Sequence, residues 1–192
     1  MDVSKVSGCV LAGGSSKRMG TDKALLKLGD KTFLEIQIDK LKSMGIEDIL
    51  YVRGEDVEVP GARRVTDLYP ERGPLGGIHA GLQACENNCC LFLGVDVPLV
   101  PEDFLKELIV KHTSGITIAQ SEGHDEPLIA IYDAELADVI PPLIKDHGAP
   151  VRELFKYALL RRVPYTGPEG LLKNCNTPED YAETCQTSKQ YL

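Results

Sequence analysis

Residues 10–28 read VLAGGSSKRMGTDKALLKL, a short apolar run that stops abruptly at Gly13 and Gly14. The polar loop that follows the glycines carries Lys17, Arg18 and Lys23. Glycines leave backbone N–H groups accessible to a ligand, and clustered N–H groups attract anions. Arg and Lys add further donors and positive charge. The stretch therefore predicts a phosphate-binding loop at the carboxyl end of a buried strand.

The glycine spacing excludes the two commonest phosphate loops. A P-loop requires Gly-Lys-Ser/Thr after its four variable residues, whereas Gly20 is followed here by Thr-Asp-Lys. The dinucleotide fingerprint Gly-x-Gly-x-x-Gly is not supplied by Gly13 and Gly14. An ordinary glycine turn with solvated basic side chains is the alternative. The coincidence of a strand, paired glycines and nearby cations favours the anion site.

The same loop resembles the signature of the nucleotidyltransferases with a Rossmann-like fold. Residues 11–23 read Leu-Ala-Gly-Gly-x-Ser-x-Arg-Met-Gly-x-Asp-Lys. Within that group, the double glycine and the aspartate before Lys23 are most similar to the MobA family, the molybdenum cofactor guanylyltransferases. The resemblance implies an α/β, three-layer Rossmann-like fold around a mostly parallel central sheet, in a single domain over residues 1–192.

The composition is that of an acidic globular protein. The chain has 192 residues, of which 43% are hydrophobic and 26% charged, enough for one domain with a sizeable core. A net charge of −8 argues against binding to nucleic acid or to an anionic membrane. No apolar segment reaches the length that spans a bilayer, and the N-terminus is too polar for a secretory signal. We therefore expect a cytoplasmic protein with a small anionic ligand.

The cysteines show no recognised zinc spacing. Cys85, Cys89 and Cys90 form a local group that can hold a metal or form a disulfide. Free thiols near a helix end and a strand start are the favoured interpretation.

Strand and helix patterns alternate along the chain, which predicts a mostly parallel sheet flanked by helices. The predicted strands are 8–12, 49–52, 63–65, 90–95, 116–119, 127–132 and 162–165. The predicted helices are 32–44, 77–85, 102–112, 134–144 and 151–159, with another starting at 177–180. Thr32 and Glu35 suit a capping box, but the apolar residues of that helix fit a buried stripe only roughly.

A second segment, 67–77, reads DLYPERGPLGG and lies between a predicted strand and a predicted helix. Open α/β sheets bind ligands at such connections, and a helix N-terminus favours an anion. A long connector is the alternative. The resemblance implies that Asp67 contacts a guanine base. A carboxylate can accept hydrogen bonds from both N1–H and the 2-amino group, a donor pair that adenine lacks.

Asp96 directly follows the apolar run 90–95 and therefore lies at a strand end. Mg²⁺ favours one or two carboxylates together with waters and phosphate oxygens, although an aspartate there can also cap a helix or bond its own loop. The resemblance implies that Asp96, in Asp-Val-Pro, binds Mg²⁺.

Two later segments extend the resemblance. Residues 126–132 are similar to the family strand on the acceptor side, and residues 174–180 to the family's Asn-x-Asn-Thr-Pro-Glu-Asp. Asn174 and Asn176 are thereby expected to contact phosphates or the pterin, with helix capping as the alternative. No asparagine stands near Arg53, where the family often has one close to the base. The sequence leaves open whether three arginines serve an acceptor phosphate: Arg152, Arg161 and Arg162.

The resemblance implies guanylyl transfer from GTP to molybdopterin, with transient contact to molybdopterin-delivering proteins. It assigns catalysis to Arg18, Lys23 and Asp96, with Asp96 as the metal ligand. It assigns nucleotide binding to Leu11, Ala12, Gly13, Gly14, Lys23, Asp67 and Asp96. CMP transfer to molybdopterin, or nucleotidyl transfer to a sugar phosphate, is the first alternative; those relatives more often carry Ala-Gly at the paired glycines. A non-catalytic nucleotide-binding module is the second.

Overall fold

Apolar segments from across the chain form one seven-stranded sheet in the middle of the molecule. This computed structural model describes residues 2–13, 22–54, 57–145 and 148–191. The strands are β1 (Ser7–Leu11), β2 (Lys27–Leu28), β3 (Lys31–Thr32), β4 (Ile49–Val52), β5 (Arg63–Val65), β6 (Cys89–Gly94), β7 (Ile116–Ser121), β8 (His124–Asp133) and β9 (Leu160–Pro164). The α-helices are α1 (Phe33–Ser43), α2 (Pro74–Ala84), α3 (Glu102–Lys111), α4 (Ile140–Ile144) and α5 (Pro178–Tyr191). The 3₁₀ helices are Val3–Lys5, Lys23–Leu25, Ala134–Val139 and Val151–Tyr157.

The strand order is β5-β4-β1-β6-β8-β7-β9, and the short strands β2 and β3 pair separately. Among the described strands of the large sheet, only β8 runs antiparallel to its neighbours, so the predicted mostly parallel sheet is confirmed. The chain passes from β1 outward to β4 and β5, then returns to the other side of β1 as β6. This reversal creates a topological switch point between β1 and β6, where open α/β sheets bind ligands.

Helices pack on both faces of the sheet and create two apolar cores. The helices on one face, the sheet and the helices on the other face are the three predicted layers. Side chains alternate between the faces along each strand. Val10 and Leu93 therefore pack with α1 and α3 in one core, whereas Cys9 and Phe92 pack with α2 and α4 in the other.

Local sequence signals account for most element boundaries. The capping box of α1 is present: Thr32 Oγ1 accepts from the Glu35 N–H, and Glu35 accepts from the Thr32 N–H. The predicted helix 151–159 is a 3₁₀ helix over Val151–Tyr157, and 134–144 is 3₁₀ over Ala134–Val139 before α4 begins. The two largest differences from a predicted boundary are three residues each. Helix α2 begins at Pro74 rather than Gly77, because proline is tolerated in the first turn of a helix. Strand β8 extends back to His124 because its first residues pair with β7 across a tight turn.

Two polar side chains occupy the buried face of α1, which explains why its apolar stripe looked incomplete. Phe33, Gln37, Lys40 and Met44 follow helical spacing along this face, and all four are buried. Lys40 Nζ donates to the Pro98 carbonyl oxygen at 2.9 Å. Burial lowers the pKa of Lys40 to about 7, an effect that the nearby Glu102 carboxylate partly offsets.

The depressed pKa of Lys40 predicts a pH-dependent stability. Between about pH 7 and pH 10 the unfolded chain binds more protons at this side chain than the folded chain does, so the free energy of unfolding rises with pH. We expect Lys40→Met to remove that increment, as measured by urea unfolding at pH 7 and pH 9.5. Lys42→Met, at a more exposed position of the same helix, is the control. Identical pH dependence in wild type and Lys40→Met would contradict the assignment.

Candidate functional site

The carboxyl ends of β1 and β6 meet at one point of the sheet edge. Leu11 is in register with Gly94, and the Val95 N–H donates to the Leu11 carbonyl at 3.1 Å. Asp96 follows immediately, with its side chain 21% exposed. A Cβ at residue 94 would lie 2.7 Å from Asp96 Oδ1, so the carboxylate folds over Gly94 in a way that only glycine allows.

Three predicted site residues meet around this carboxylate. Lys23 Nζ lies 3.3 Å from Asp96 Oδ2 and also donates to Asn176 Oδ1. The Cys175 N–H donates to the Asp96 carbonyl oxygen at 2.8 Å. The segment after β9 is therefore fixed against the end of β6, and the structure joins parts of the chain that are far apart in sequence.

Local caps hold Lys23 and Asn176 in position. Asp22 Oδ1 accepts from the Ala24 N–H at 3.0 Å and starts the 3₁₀ helix that carries Lys23. At α5, Asp180 Oδ2 accepts from the N–H groups of Asn176 and Thr177, and these bonds lower the pKa of Asp180. Thr177 and Asp180 form the cap of α5, so the Asn176 side chain is not needed for capping. It accepts from Lys23 Nζ instead.

Glu126 adds a second carboxyl group to the site, although the sequence placed it only in a supporting strand. It hydrogen-bonds Asn174, and its pKa is raised by burial, a shift that this bond opposes and Asp96 reinforces. The sequence carries no signal for this approach, because it depends on the antiparallel pairing of β6 with β8. That pairing ends at Leu93 opposite Ile129, three residues before Asp96 and three after Glu126.

The end of β1 leads from buried backbone to an exposed glycine. Leu11 and Ala12 are buried, and the Ala12 N–H donates to the Val52 carbonyl at 3.0 Å. Gly13 is exposed, and the nearest atom to a Cβ there would be 3.8 Å away. The predicted contacts of Gly14 and Arg18 lie outside the described residues.

Asp67 lies on the β4 side of β1, whereas Asp96 lies on the β6 side. Its Oδ1 accepts from the Tyr69 N–H at 2.7 Å. The first turn of α2 covers it so closely that a Cβ at Gly76 would lie 2.6 Å from Asp67 Oδ1. A Cβ at the next residue, Gly77, would lie 2.9 Å from Leu11 Cδ2. These two glycines allow the first turn of α2 to pack against both Asp67 and Leu11, the last residue of β1.

The arginines divide between the interior and the surface. Arg53, where the resembled family often has asparagine, is buried at the end of β4 and forms an ion pair with Asp22. Arg162 forms a two-pronged bond to Asp125, with its Nε 2.8 Å from Oδ1 and its Nη2 2.9 Å from Oδ2. The charge of Arg162 is therefore already paired at the surface.

The six cysteines form no disulfide, which agrees with the free thiols favoured for Cys85, Cys89 and Cys90. Burial raises the pKa of Cys85 and of Cys89 to about 11. Within the described ranges, no three His, Cys, Asp or Glu side chains lie close enough to hold a metal. No helix of those ranges is both long and apolar enough to cross a bilayer.

A family model for the MobA-like NTP transferase domain matches residues 8–163. The chain belongs to this family. It is 34% identical to a probable molybdenum cofactor guanylyltransferase from Flavobacterium johnsoniae, over 81% of this chain and 80% of that protein. It is 33% identical to a protein of the same name from Methanothermobacter thermautotrophicus, over 91% of this chain and 96% of that one.

Solved structures agree with the fold of this MobA-like domain. Molybdopterin-guanine dinucleotide biosynthesis protein A from Archaeoglobus fulgidus superposes with a TM-score of 0.79. The two sequences are 22% identical, and the match covers 96% of this chain and all of that one. At this identity the likeness concerns the fold alone.

The close approach of Gly76 to Asp67 predicts an unusual response to alanine. Gly→Ala inside a helix normally stabilises by about 1 kcal/mol, but a methyl group at Gly76 would meet the Asp67 carboxylate and the Tyr69 carbonyl. We expect Gly76→Ala to destabilise the fold by about 1–3 kcal/mol, as overpacking does. Thermal unfolding measures this, with the exposed Gln83→Ala on the same helix as control. A higher melting temperature for Gly76→Ala would refute the close contact.

Proposed function

We propose that this protein transfers GMP from GTP to the terminal phosphate of molybdopterin and releases pyrophosphate. The observation that carries the proposal is the meeting of Asp96, Lys23 and Asn176 at the switch point, next to the glycine that ends β1. The names of the relatives, molybdenum cofactor guanylyltransferase, supply the substrates.

MobA-type nucleotidyltransferases generally use a divalent metal ion, and we propose Mg²⁺ on Asp96. The side chains that could act as metal ligands at this site suit Mg²⁺. Asp96 presents a partly exposed carboxylate, Glu126 lies nearby, and Cys175, whose N–H bonds the Asp96 carbonyl, is buried. Mg²⁺ commonly takes one or two carboxylates and completes its shell with water and substrate phosphates. When bound, the ion would neutralise phosphate charge and reduce repulsion between the two anionic substrates.

The reaction needs positioning and charge neutralisation more than proton transfer. A molybdopterin phosphate oxygen attacks the α-phosphorus of GTP, and the new P–O bond forms as the bond to the bridging oxygen of the β-phosphate breaks. Pyrophosphate leaves with that electron pair. The nucleophile is already an anion, so no general base is required. Lys23 and Arg18 would neutralise the charge on the transferred group and on the leaving pyrophosphate.

The nucleotide would lie across the end of β1. Gly13 and Gly14 would direct backbone N–H groups at the triphosphate, which places its phosphates near Lys23 and Asp96. The base would then extend towards Asp67, which can accept hydrogen bonds from guanine N1–H and the 2-amino group. Leu11 and Ala12, which lead from the end of β1 into Gly13, would contribute to nucleotide binding.

Pyrophosphate release tests the proposal directly. Purified protein, Mg²⁺ and molybdopterin should release pyrophosphate with GTP but not with CTP or ATP. Release with CTP would keep the chemistry and overturn the choice of base. Tight GTP binding without release, with molybdopterin present, would instead support a regulatory module.

Asp96→Asn removes the charge that would hold the cation and keeps the size of the side chain. We expect turnover to fall about 10³-fold or more, comparable with the loss of a well-placed charge-stabilising group. Far-UV circular dichroism and thermal unfolding verify the fold, and the exposed Asp103→Asn is the matched control. Normal Mg²⁺-dependent turnover in Asp96→Asn would remove this residue from the site.

Asp67→Asn tests base selection separately from catalysis. An amide offers one acceptor oxygen and introduces a donor group, so it cannot accept both guanine hydrogen bonds. We expect the ratio of kcat/KM for GTP to that for ATP to fall by about tenfold or more, on the scale of one lost specific hydrogen bond to a charged group. An unchanged ratio would place base selection elsewhere.

A further inference from the structure

Gln37 is a buried polar side chain of α1 that contacts the turn bearing Asp96. The side chain is completely buried. Its Nε2 donates to the carbonyl oxygens of Gly94 at 2.9 Å and of Val97 at 3.0 Å. One amide group therefore hydrogen-bonds both to Gly94, before Asp96 in the chain, and to Val97, after it.

The orientation of this amide follows from its partners. Both partner atoms are carbonyl oxygens, which only accept, so the amide nitrogen and not the oxygen must face them. Within the described residues, the Gln37 Oε1 atom is buried and has no hydrogen-bond partner. A buried acceptor without a partner costs stability, so packing alone does not account for glutamine here.

Gln37 is the side chain of α1 that bonds this turn on both sides of Asp96, beside the backbone N–H groups of Val95, Val100 and Cys175, which bond the Leu11, Val97 and Asp96 carbonyls. Between β6 and α3, residues 95–101 form no regular element. The Val97 N–H lies 3.5 Å from the Gly94 carbonyl oxygen, at the limit of a hydrogen bond. Gln37 supplies two shorter bonds to the same turn. Lys40, one helical turn further on, donates to the Pro98 carbonyl and adds a third contact from α1.

We propose that Gln37 is a positioning residue for the Asp96 carboxylate and the cation it binds. This inference rests on the function proposed above. By fixing the carbonyls of Gly94 and Val97, Gln37 keeps the turn in the conformation that directs Asp96 towards Lys23. Helix α1 thereby supports the acidic side of the site through the turn that bears Asp96. Groups that orient a metal ligand in this indirect way commonly affect metal affinity by about 10–100-fold.

The test measures metal binding in the absence of turnover. Mn²⁺ is titrated by electron paramagnetic resonance into protein that is saturated with an α,β-methylene analogue of GTP. We expect Gln37→Met, which keeps the volume and removes the amide, to weaken Mn²⁺ binding at least tenfold. Binding of the analogue without metal, in excess EDTA, should remain within twofold of wild type. The kcat of the variant should fall together with its Mn²⁺ affinity.

Ile38→Val is the matched control for loosening of the helix. Ile38 is fully buried on the same helix, and its side chain makes no hydrogen bond. We expect wild-type Mn²⁺ affinity in this variant. Wild-type Mn²⁺ affinity in a folded Gln37→Met, or an equal loss in Ile38→Val, would overturn the proposal. If Gln37→Met does not fold, Gln37→Asn replaces it, because the shorter amide cannot reach both carbonyls. Wild-type Mn²⁺ affinity in that variant would also overturn the proposal.

Asp96→Asn in the same titration separates this proposal from the proposed function. If Asp96→Asn loses Mn²⁺ binding and Gln37→Met does not, only the positioning role of Gln37 fails. If Asp96→Asn binds Mn²⁺ as tightly as wild type, the metal assignment fails and the proposal for Gln37 fails with it.

Discussion

The site depends on the parallel hydrogen bonding between β1 and β6. This pairing reaches the last residue of β1, where Leu11 is in register with Gly94, and the Val95 N–H continues it. Beyond that bond β6 is followed by the turn that bears Asp96, and β1 is followed by Ala12 and the exposed Gly13. The strand pairing thus brings an exposed glycine and a carboxylate to adjacent positions. A register shift of one residue would turn these side chains to the opposite face of the sheet.

The groups around Asp96 are held by contacts that carry an energetic cost. The site combines a lysine, two carboxyl groups and two asparagines in a partly buried place, and burial raises the pKa of Glu126. Behind it, α1 buries Lys40 with a pKa of about 7 and leaves one oxygen of Gln37 without a partner. A helix with only apolar residues on its buried face would avoid both of these costs. Proteins commonly have lower stability at positions where buried polar groups fix the geometry of a functional site.

Much of the framework could be predicted from the sequence because its signals are local. Strand β4 follows from the short apolar run Ile-Leu-Tyr-Val at 49–52, and the start of α1 follows from the Thr32 capping box. The ion pair of Lys23 with Asp96 follows less directly, since both residues were expected at one site through the family resemblance. Gln37 was missed because a buried amide on a helix is identified only by its partners, which are distant in sequence. The early start of α2 was missed because Pro74 and Gly76 are usually helix breakers, whereas here close packing on Asp67 requires the glycine.

A crystal structure with Mg²⁺ and an α,β-methylene analogue of GTP would test the central claim most directly. The account predicts that the triphosphate lies at the joined ends of β1 and β6, with Asp96 as a ligand of the cation and Lys23 in contact with phosphate oxygens. The guanine base should be within hydrogen-bond distance of the Asp67 carboxylate. A nucleotide bound away from these strand ends, or a cation coordinated without Asp96, would contradict the account.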